Sequence, residues 1–122
     1  MQDKPTVVLG ASPKKERYSN KAIRMLREYG HPVIPVHPGC KKIEGIPTVH
    51  ALEDIQGPVH TLTMYVGPAR SESLVEQIIA LRPLRVIFNP GSESDVVKAA
   101  LVREHIPFED ACTLVMLRTG QF

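Results

Sequence analysis

The sequence predicts an α/β fold: an open, doubly wound parallel sheet of about five strands with helices on both faces. Five short apolar runs rich in β-branched residues alternate with segments of helical periodicity, which is typical of βαβ units. Gly or Pro follows each of the first four runs within two residues and marks where a strand ends. With right-handed crossovers, this pattern favours the strand order 3-2-1-4-5.

The predicted reversal of strand order indicates where a ligand binds. In open α/β sheets, ligands occupy the crevice at the carboxyl ends of the strands where the order reverses. In the predicted order this point lies between the first and fourth strands. Gly10-Ala11-Ser12 and Asn89-Pro90-Gly91 are therefore expected to face each other across the crevice.

The first strand and the first helix flank a predicted phosphate site. Residues 6–9 form the strand, and the small residues that follow let the backbone turn sharply and approach a ligand closely. Ser19 or Asn20 is the predicted N-cap of the helix. The free N–H groups and the positive dipole end of that helix favour an anion. Four cations surround the same turn: Lys14, Lys15, Arg17 and Lys21.

The remaining elements are assigned from periodicity and turn residues. The apolar face of the first helix comprises Ala22, Met25, Leu26 and Tyr29, and the helix ends before Gly30 and Pro32. Further strands are predicted at residues 33–36, 62–66, 85–88 and 106–109, with one helical turn at 51–55.

Two more helices are predicted in the second half of the chain. Ser71 caps a helix whose core positions are Leu74, Val75, Ile78 and Leu81. Residues 92–95 form a capping box before a helix that contains Val96, Val97, Ala100 and Leu101. The apolar residues 114–117 fit either a strand or a final helical turn.

Composition and charge narrow the class of ligand. With 43% hydrophobic and 23% charged residues, the chain has the composition of an ordinary globular domain. Residues 1–42 hold nine Lys and Arg against three Asp and Glu, whereas residues 43–122 hold six against ten. This asymmetry favours a local anionic ligand over a nucleic acid, which usually binds a basic stripe with aromatic platforms.

The residues after the second strand distinguish between kinds of nucleotide. An NAD site places an acidic residue there for the ribose diol and carries the fingerprint GxGxxG, of which only Gly10 is present. This chain instead has His37-Pro38 followed by Lys41 and Lys42. Cations in place of a carboxylate favour a phosphorylated ribose, as in NADP or coenzyme A, and the spacing alone does not separate the two.

Several short motifs cover nearly the whole chain in a fixed order: VVLGASP, RYSN, VIPVHP, IEGIPTVHALEDI and VIFNPG. Their order and spacing resemble the CoA-binding domain family, small Rossmann-like proteins related to the CoA-binding domain of the succinyl-CoA synthetase α subunit. The resemblance implies one Rossmann-like domain over residues 1–122 that binds coenzyme A or an acyl-CoA.

The resemblance also implies a set of binding residues. Gly10, Ala11 and Ser12 would lie against the CoA diphosphate, and Arg17, Tyr18, Ser19 and Asn20 would close over it. His37, Pro38, Lys41 and Lys42 would border the adenosine, with Lys42 or Lys41 contacting the 3′-phosphate. Val66, Gly67 and Pro68 would flank the adenine or the start of the pantetheine arm, and Asn89, Pro90 and Gly91 would lie near the thiol end.

Catalysis is not indicated by any motif, so the expected role is non-catalytic binding of this small molecule. Cys40 and Cys112 lie outside metal-ligand spacing, so no metal is expected. With no signal-peptide pattern and no long apolar run, a cytoplasmic protein is expected, with no nucleic acid or membrane partner. A homodimer or association with a larger enzyme remains open. The alternatives are an NADP-binding oxidoreductase or cofactor-binding subunit, and a ligand-free dimeric scaffold that uses an exposed 114–117 stripe.

Overall fold

The computed structural model describes residues 4–122. The strands are, in chain order, β1 (Thr6–Leu9), β2 (Val33–Val36), β3 (Lys42–Ile43), β4 (Ile46–Pro47), β5 (Thr61–Met64), β6 (Arg85–Phe88) and β7 (Phe108–Asp110). The helices are α1 (Tyr18–Glu28), α2 (Pro68–Glu72), α3 (Val75–Leu81), α4 (Asp95–Arg103) and α5 (Thr113–Arg118), with a 3₁₀ turn at Leu52–Asp54. Strands β3 and β4 form a short hairpin, which the sequence did not predict.

The other five strands form one parallel sheet in the order β2-β1-β5-β6-β7. The predicted fold class, a doubly wound Rossmann-like α/β sheet of five strands, is confirmed. The predicted order 3-2-1-4-5 is wrong, because the third of these strands, β5, lies beside β1 and not outside β2. The strand order therefore reverses between β1 and β5.

The chain between β2 and β5 explains this order. The outer edge of β2 is already occupied, because Val49 N–H donates to the Pro35 carbonyl and His37 N–H donates to the Val49 carbonyl, both at 2.9 Å. Residues 37–60, all of which the structure describes, contain no α-helix that could cover a further strand on that side. The chain therefore crosses to the other side of β1.

Helix α1 begins earlier than predicted. Its N-cap is Arg17, so Ser19 and Asn20 lie inside the first turn and are buried. The buried apolar residues of α1 are Ala22, Ile23 and Leu26, and Tyr29 is 41% exposed. The prediction that Ser19 or Asn20 caps the helix is wrong, because the Asn20 side chain is engaged elsewhere, as described below.

Three other boundaries differ from the predictions. Ser71 lies buried inside α2, and the predicted long helix is divided into α2 and α3. The cap of α4 is Ser94, whose Oγ accepts from Val97 N at 3.2 Å, while the Ser92 hydroxyl donates to the Asn89 carbonyl. The last strand is β7, two residues later than its predicted start.

Alternate residues of the strands contribute to two core layers, one on each face of the sheet. Helices α3 and α4 cover one layer, which includes Leu62, Val86 and Phe88. Helices α1 and α5 cover the other, which includes Val8 and Ile87. Residues 114–117 form part of helix α5, and three of them are buried, with Val115 exposed. This burial removes the observation on which the dimeric scaffold depended. Within residues 4–122, no helix is long and apolar enough to cross a membrane.

Candidate functional site

Two chain segments meet closely where the strand order reverses. Gly10 follows β1 with φ +91°, and Tyr65, which follows β5, donates its N–H to the Leu9 carbonyl at 2.9 Å. A Cβ atom at Gly10 would lie 2.8 Å from the Tyr65 carbonyl oxygen and 2.9 Å from the Val66 side chain. Because no real Cβ approaches so closely, only glycine fits both the dihedral angle and the space.

The loop from Ser12 to Arg17 and the start of α1 form a candidate anion site, called here the cradle. Ser12 Oγ accepts from Lys14 N at 3.1 Å, and the Lys14 carbonyl accepts from Arg17 N at 3.1 Å, which folds the loop into a compact turn. No side chain caps α1, and no acidic residue lies in its first turn. The first-turn N–H groups and the positive end of the helix dipole are therefore available to an anion.

Asn20 holds this loop against the helix. Its Nδ2 donates to the Ser12 carbonyl at 2.9 Å and to Glu44 Oε2 at 3.1 Å, and its Oδ1 accepts from Arg24 Nε at 2.9 Å. The side chain is completely buried. Its hydrogen bonds shape the loop from behind, so Asn20 positions the cradle without lining it.

A central cleft of about 500 Å³ opens beside the cradle. Its basic or imidazole lining side chains are Lys14, Arg17 and His37, Tyr65 also lines it, and none of its lining residues is acidic. The other lining residues are Gly10, Ser12, Pro13, Tyr18, Ser19, Val66, Gly67, Pro90, Gly91 and Ser92. The volume is within the range of small-molecule sites, and the charge suits an anion.

Two side cavities adjoin the cleft, since each shares lining residues with it. The first, of about 310 Å³, is called here the arginine cavity, and its lining residues are Gly10, Ala11, Val36, His37, Pro38, Tyr65, Val66, Gly67 and Arg70. The second, of about 280 Å³, is called the tyrosine cavity, and its lining residues are Tyr18, Tyr65, Asn89, Pro90, Cys112 and Leu114. Arg70 is charged, whereas none of the residues of the tyrosine cavity carries a formal charge at neutral pH.

The His37 ring is fixed by its own loop. Its Nδ1 accepts from Gly39 N and from Cys40 N, both at 2.9 Å. Because Nδ1 is an acceptor, the proton of the neutral imidazole lies on Nε2, which is 3.8 Å from Cys40 Sγ. His37 therefore presents an oriented ring at the junction of the cleft and the arginine cavity.

Tyr65 lines the cleft and both side cavities. Its hydroxyl is buried and faces the Thr63 and Thr113 hydroxyls without a hydrogen bond of good geometry to either. The pKa of the phenol is raised well above its usual range, mainly by burial and to a smaller extent by the nearby Cys112. Tyr65 therefore remains neutral and offers the site a ring rather than a charge.

Asn89 is the centre of a buried polar network beneath the site. Its Nδ2 donates to Thr63 Oγ1 at 2.6 Å and to the Met64 carbonyl at 2.9 Å, and its Oδ1 accepts from Thr113 N at 2.9 Å. The two threonine hydroxyls lie 2.8 Å apart. The amide thus joins β5, β6 and the start of α5, with both of its polar atoms already bonded within the protein.

Comparison with known proteins agrees with this architecture. The profile of the CoA binding domain family matches residues 4–118. The chain belongs to the CoA-binding domain family. The uncharacterized protein YneT of Bacillus subtilis is 29% identical over 73 residues, which cover 60% of this chain and 52% of YneT. The match therefore spans about half the length of this curated relative.

Two solved structures have nearly the same backbone. The crystal structure of an uncharacterized protein is 37% identical with a TM-score of 0.92, and each chain is covered completely. A Thermus thermophilus structure, cell-free ID.343, is 29% identical with a TM-score of 0.90, covering 98% of this chain and 91% of that one. A dinucleotide-forming acetyl-coenzyme A synthetase of Ca. Korarchaeum cryptofilum, in complex with phosphate and ADP, has a TM-score of 0.70 at 17% identity. That match covers 83% of this chain and 23% of the synthetase and shows the fold alone.

The structure of this CoA-binding domain family member brings together most of the residues predicted from sequence. Those that line the cleft or a side cavity are Gly10, Ala11, Ser12, Arg17, Tyr18, Ser19, His37, Pro38, Val66, Gly67, Asn89, Pro90 and Gly91. Asn20, Lys41, Lys42 and Pro68 do not line any of these three spaces. The corrected strand order still brings residues 89–91 to the site, because β6 is only one strand away from the reversal.

Several lining residues were absent from the predicted set, namely Pro13, Lys14, Val36, Tyr65, Arg70, Ser92, Cys112 and Leu114. Lys14 could have been predicted from the sequence, since it belongs to the basic cluster before α1. Tyr65 falls within the predicted strand 62–66, but the strand ends at Met64 and leaves Tyr65 in the loop. Arg70 lies on the short helix α2, and the cavity that it shares with Gly10 depends on the observed strand order.

Proposed function

We propose that this protein binds coenzyme A or an acyl-CoA in the central cleft, with the diphosphate on the cradle. The observation that carries the proposal is the junction of Gly10 with the uncapped start of α1, where free N–H groups, Lys14 and Arg17 converge. Membership of the CoA-binding domain family supports this choice of anion. The proposal concerns binding and assigns no reaction to the protein.

The charges of the two side cavities suggest the orientation of the ligand. Coenzyme A has a phosphorylated adenosine at one end and an uncharged thiol or thioester at the other. The arginine cavity contains Arg70 and the fixed ring of His37, whereas the tyrosine cavity contains no formally charged side chain. We therefore place the adenosine end in the arginine cavity and the thiol end toward the tyrosine cavity.

Ligand binding can be tested with a matched pair of lysine variants. We expect coenzyme A to raise the midpoint of thermal unfolding, because a ligand that binds only the folded state stabilises it by mass action. Lys14→Ala should weaken binding roughly tenfold by removing a charged contact with phosphate. Lys15→Ala removes the same charge from the adjacent residue, which does not line the cleft, and should change affinity less than threefold.

The same titration distinguishes the alternative ligands. NAD and NADP serve as comparison ligands beside coenzyme A and acetyl-CoA. Stabilisation by NADP alone would contradict the proposal and favour the oxidoreductase alternative. No shift with any of the four would also contradict it. Equal losses of coenzyme A affinity in Lys14→Ala and Lys15→Ala would show that the phosphates do not bind at the cradle.

Arg70 is the proposed contact for the 3′-phosphate, in place of Lys41 and Lys42. Arg70 lines the arginine cavity, whereas the two lysines flank the start of the β3–β4 hairpin and do not line it. We expect the protein to prefer coenzyme A over dephospho-CoA by roughly tenfold, the value of one charge-assisted contact. Arg70→Ala should abolish this preference and Lys42→Ala should preserve it, as measured by calorimetric titration. The reverse result would show that Lys42 contacts the 3′-phosphate, as the family resemblance implies.

A further inference from the structure

The tyrosine cavity differs chemically from the rest of the site. Two aromatic rings, a proline ring, the Leu114 side chain and the Cys112 thiol form its walls, together with the Asn89 amide. Tyr18, Tyr65 and Pro90 also line the central cleft, so the cavity opens from the cleft. A group attached to the thiol end of a ligand in the cleft could enter it.

The side-chain polar atoms of Asn89 and Tyr65 are already bonded or buried. Both polar atoms of the Asn89 amide bond to protein groups, and the Tyr65 hydroxyl is buried toward Thr63 and Thr113. Most of the surface that remains for an occupant consists of ring faces, carbon atoms and one sulfur. Tyr18 is 67% exposed at the mouth, so an occupant would remove its ring from water. Such a lining favours an aliphatic group over a charged or strongly polar one.

We propose that the tyrosine cavity is an acyl-group subsite, through which the protein prefers short saturated acyl thioesters over free coenzyme A. This rests on the proposed function, because the pantetheine arm must first place the thioester at the mouth of the cavity. Each methylene buried there strengthens binding by roughly fourfold, the equivalent of about 0.8 kcal/mol. A cavity of about 280 Å³ holds a butyryl group and cannot enclose a palmitoyl chain.

The first measurement is a calorimetric titration with coenzyme A, acetyl-CoA, butyryl-CoA and palmitoyl-CoA. We expect affinity to rise from coenzyme A to acetyl-CoA to butyryl-CoA, with butyryl-CoA roughly tenfold or more above coenzyme A. Palmitoyl-CoA should gain nothing beyond butyryl-CoA. Coenzyme A binding with no preference for butyryl-CoA would overturn the subsite while leaving the proposed function intact. No binding of any of the four would overturn both.

Cys112 provides a matched pair of variants for the subsite. Cys112→Leu adds side-chain volume at the cavity wall and should reduce the ratio of butyryl-CoA affinity to coenzyme A affinity to less than threefold. Cys112→Ser keeps the space open and should retain at least half of the preference. If Cys112→Leu preserves the full preference, the acyl group lies elsewhere and the proposal is wrong. Circular dichroism of both variants establishes that they are folded.

Chemical labelling gives a second, independent readout. The chain has two cysteines, Cys40 and Cys112, both half-buried, so a Cys40→Ser background leaves Cys112 as the single thiol. We expect saturating butyryl-CoA to slow the reaction of Cys112 with N-ethylmaleimide at least fivefold more than saturating coenzyme A does. Equal protection by the two ligands would place the acyl group outside the cavity and overturn the proposal.

Discussion

Replacing Asn89 with alanine should lower the free energy of unfolding by roughly 3 kcal/mol or more, a shift of about 10 °C in the midpoint. The amide is 3% exposed and bonds to the Thr63 hydroxyl, the Met64 carbonyl and the Thr113 N–H. Its removal leaves the last two groups buried without these partners, and each buried polar group that loses its partner costs about 1–3 kcal/mol. Thermal and urea unfolding both measure this loss.

The control separates a structural amide from a ligand contact. Gln56→Ala removes an amide from an exposed position and should change stability by less than about 0.5 kcal/mol. At a temperature where it remains folded, Asn89→Ala should bind coenzyme A within roughly threefold of the original protein, because the amide bonds inside the protein. A large loss of affinity with little loss of stability would mean that Asn89 contacts the ligand directly, as the family resemblance implies.

The fold class followed from periodicity, but the strand order depended on contacts between distant residues. Strands β1, β2 and β6 have the bounds that the apolar runs predict, and β5 and β7 overlap their predicted ranges, because buried parallel strands are short and mostly apolar. The predicted position of β5 in the sheet was wrong, because nothing in the local sequence indicates that Val49 pairs with the outer edge of β2. The hairpin β3–β4 has only two residues in each strand, too few to produce a detectable alternation.

The candidate site was predictable where local chemistry defines it. The small residues after β1, followed by cations and a helix, are visible in the sequence, and the structure places most of them around one cleft. Helix starts were less predictable: Ser19, Asn20 and Ser71 have good capping chemistry but lie inside helices, buried. The Asn20 side chain bonds to the Ser12 carbonyl, a partner that the tertiary fold supplies, whereas the Ser71 hydroxyl donates to the Pro68 carbonyl of its own helix.

A comparable limit explains why Tyr65 and Arg70 were missed. Both belong to the segment after β5, and their proximity to Gly10 follows only when β5 lies beside β1. With the predicted order, this segment would lie beyond β2 and away from Gly10. The sequence therefore indicated most of the residues that the structure brings together around the central cleft, whereas the two side cavities required the observed topology.

Gly10→Ala should disrupt the reversal point itself. We expect a loss of unfolding free energy of roughly 3 kcal/mol, part from the positive φ and part from the contact between the new Cβ and the Tyr65 carbonyl oxygen. The relief of that contact separates the loop after β1 from the loop after β5, which together line the cleft. Coenzyme A affinity should therefore fall at least tenfold, as measured by titration below the unfolding temperature.

Gly57→Ala is a closely matched control for this variant. Gly57 also has φ +91°, but a Cβ atom built there would meet nothing within 4 Å. It should therefore show only the conformational strain of a left-handed alanine, about 1–2 kcal/mol, with coenzyme A affinity unchanged. The difference between the two variants isolates the close approach of Gly10 to Tyr65. Equal stability losses and equal affinities in the two variants would show that this approach contributes neither to folding nor to the cradle, and the phosphate site would then lie elsewhere on the sheet edge.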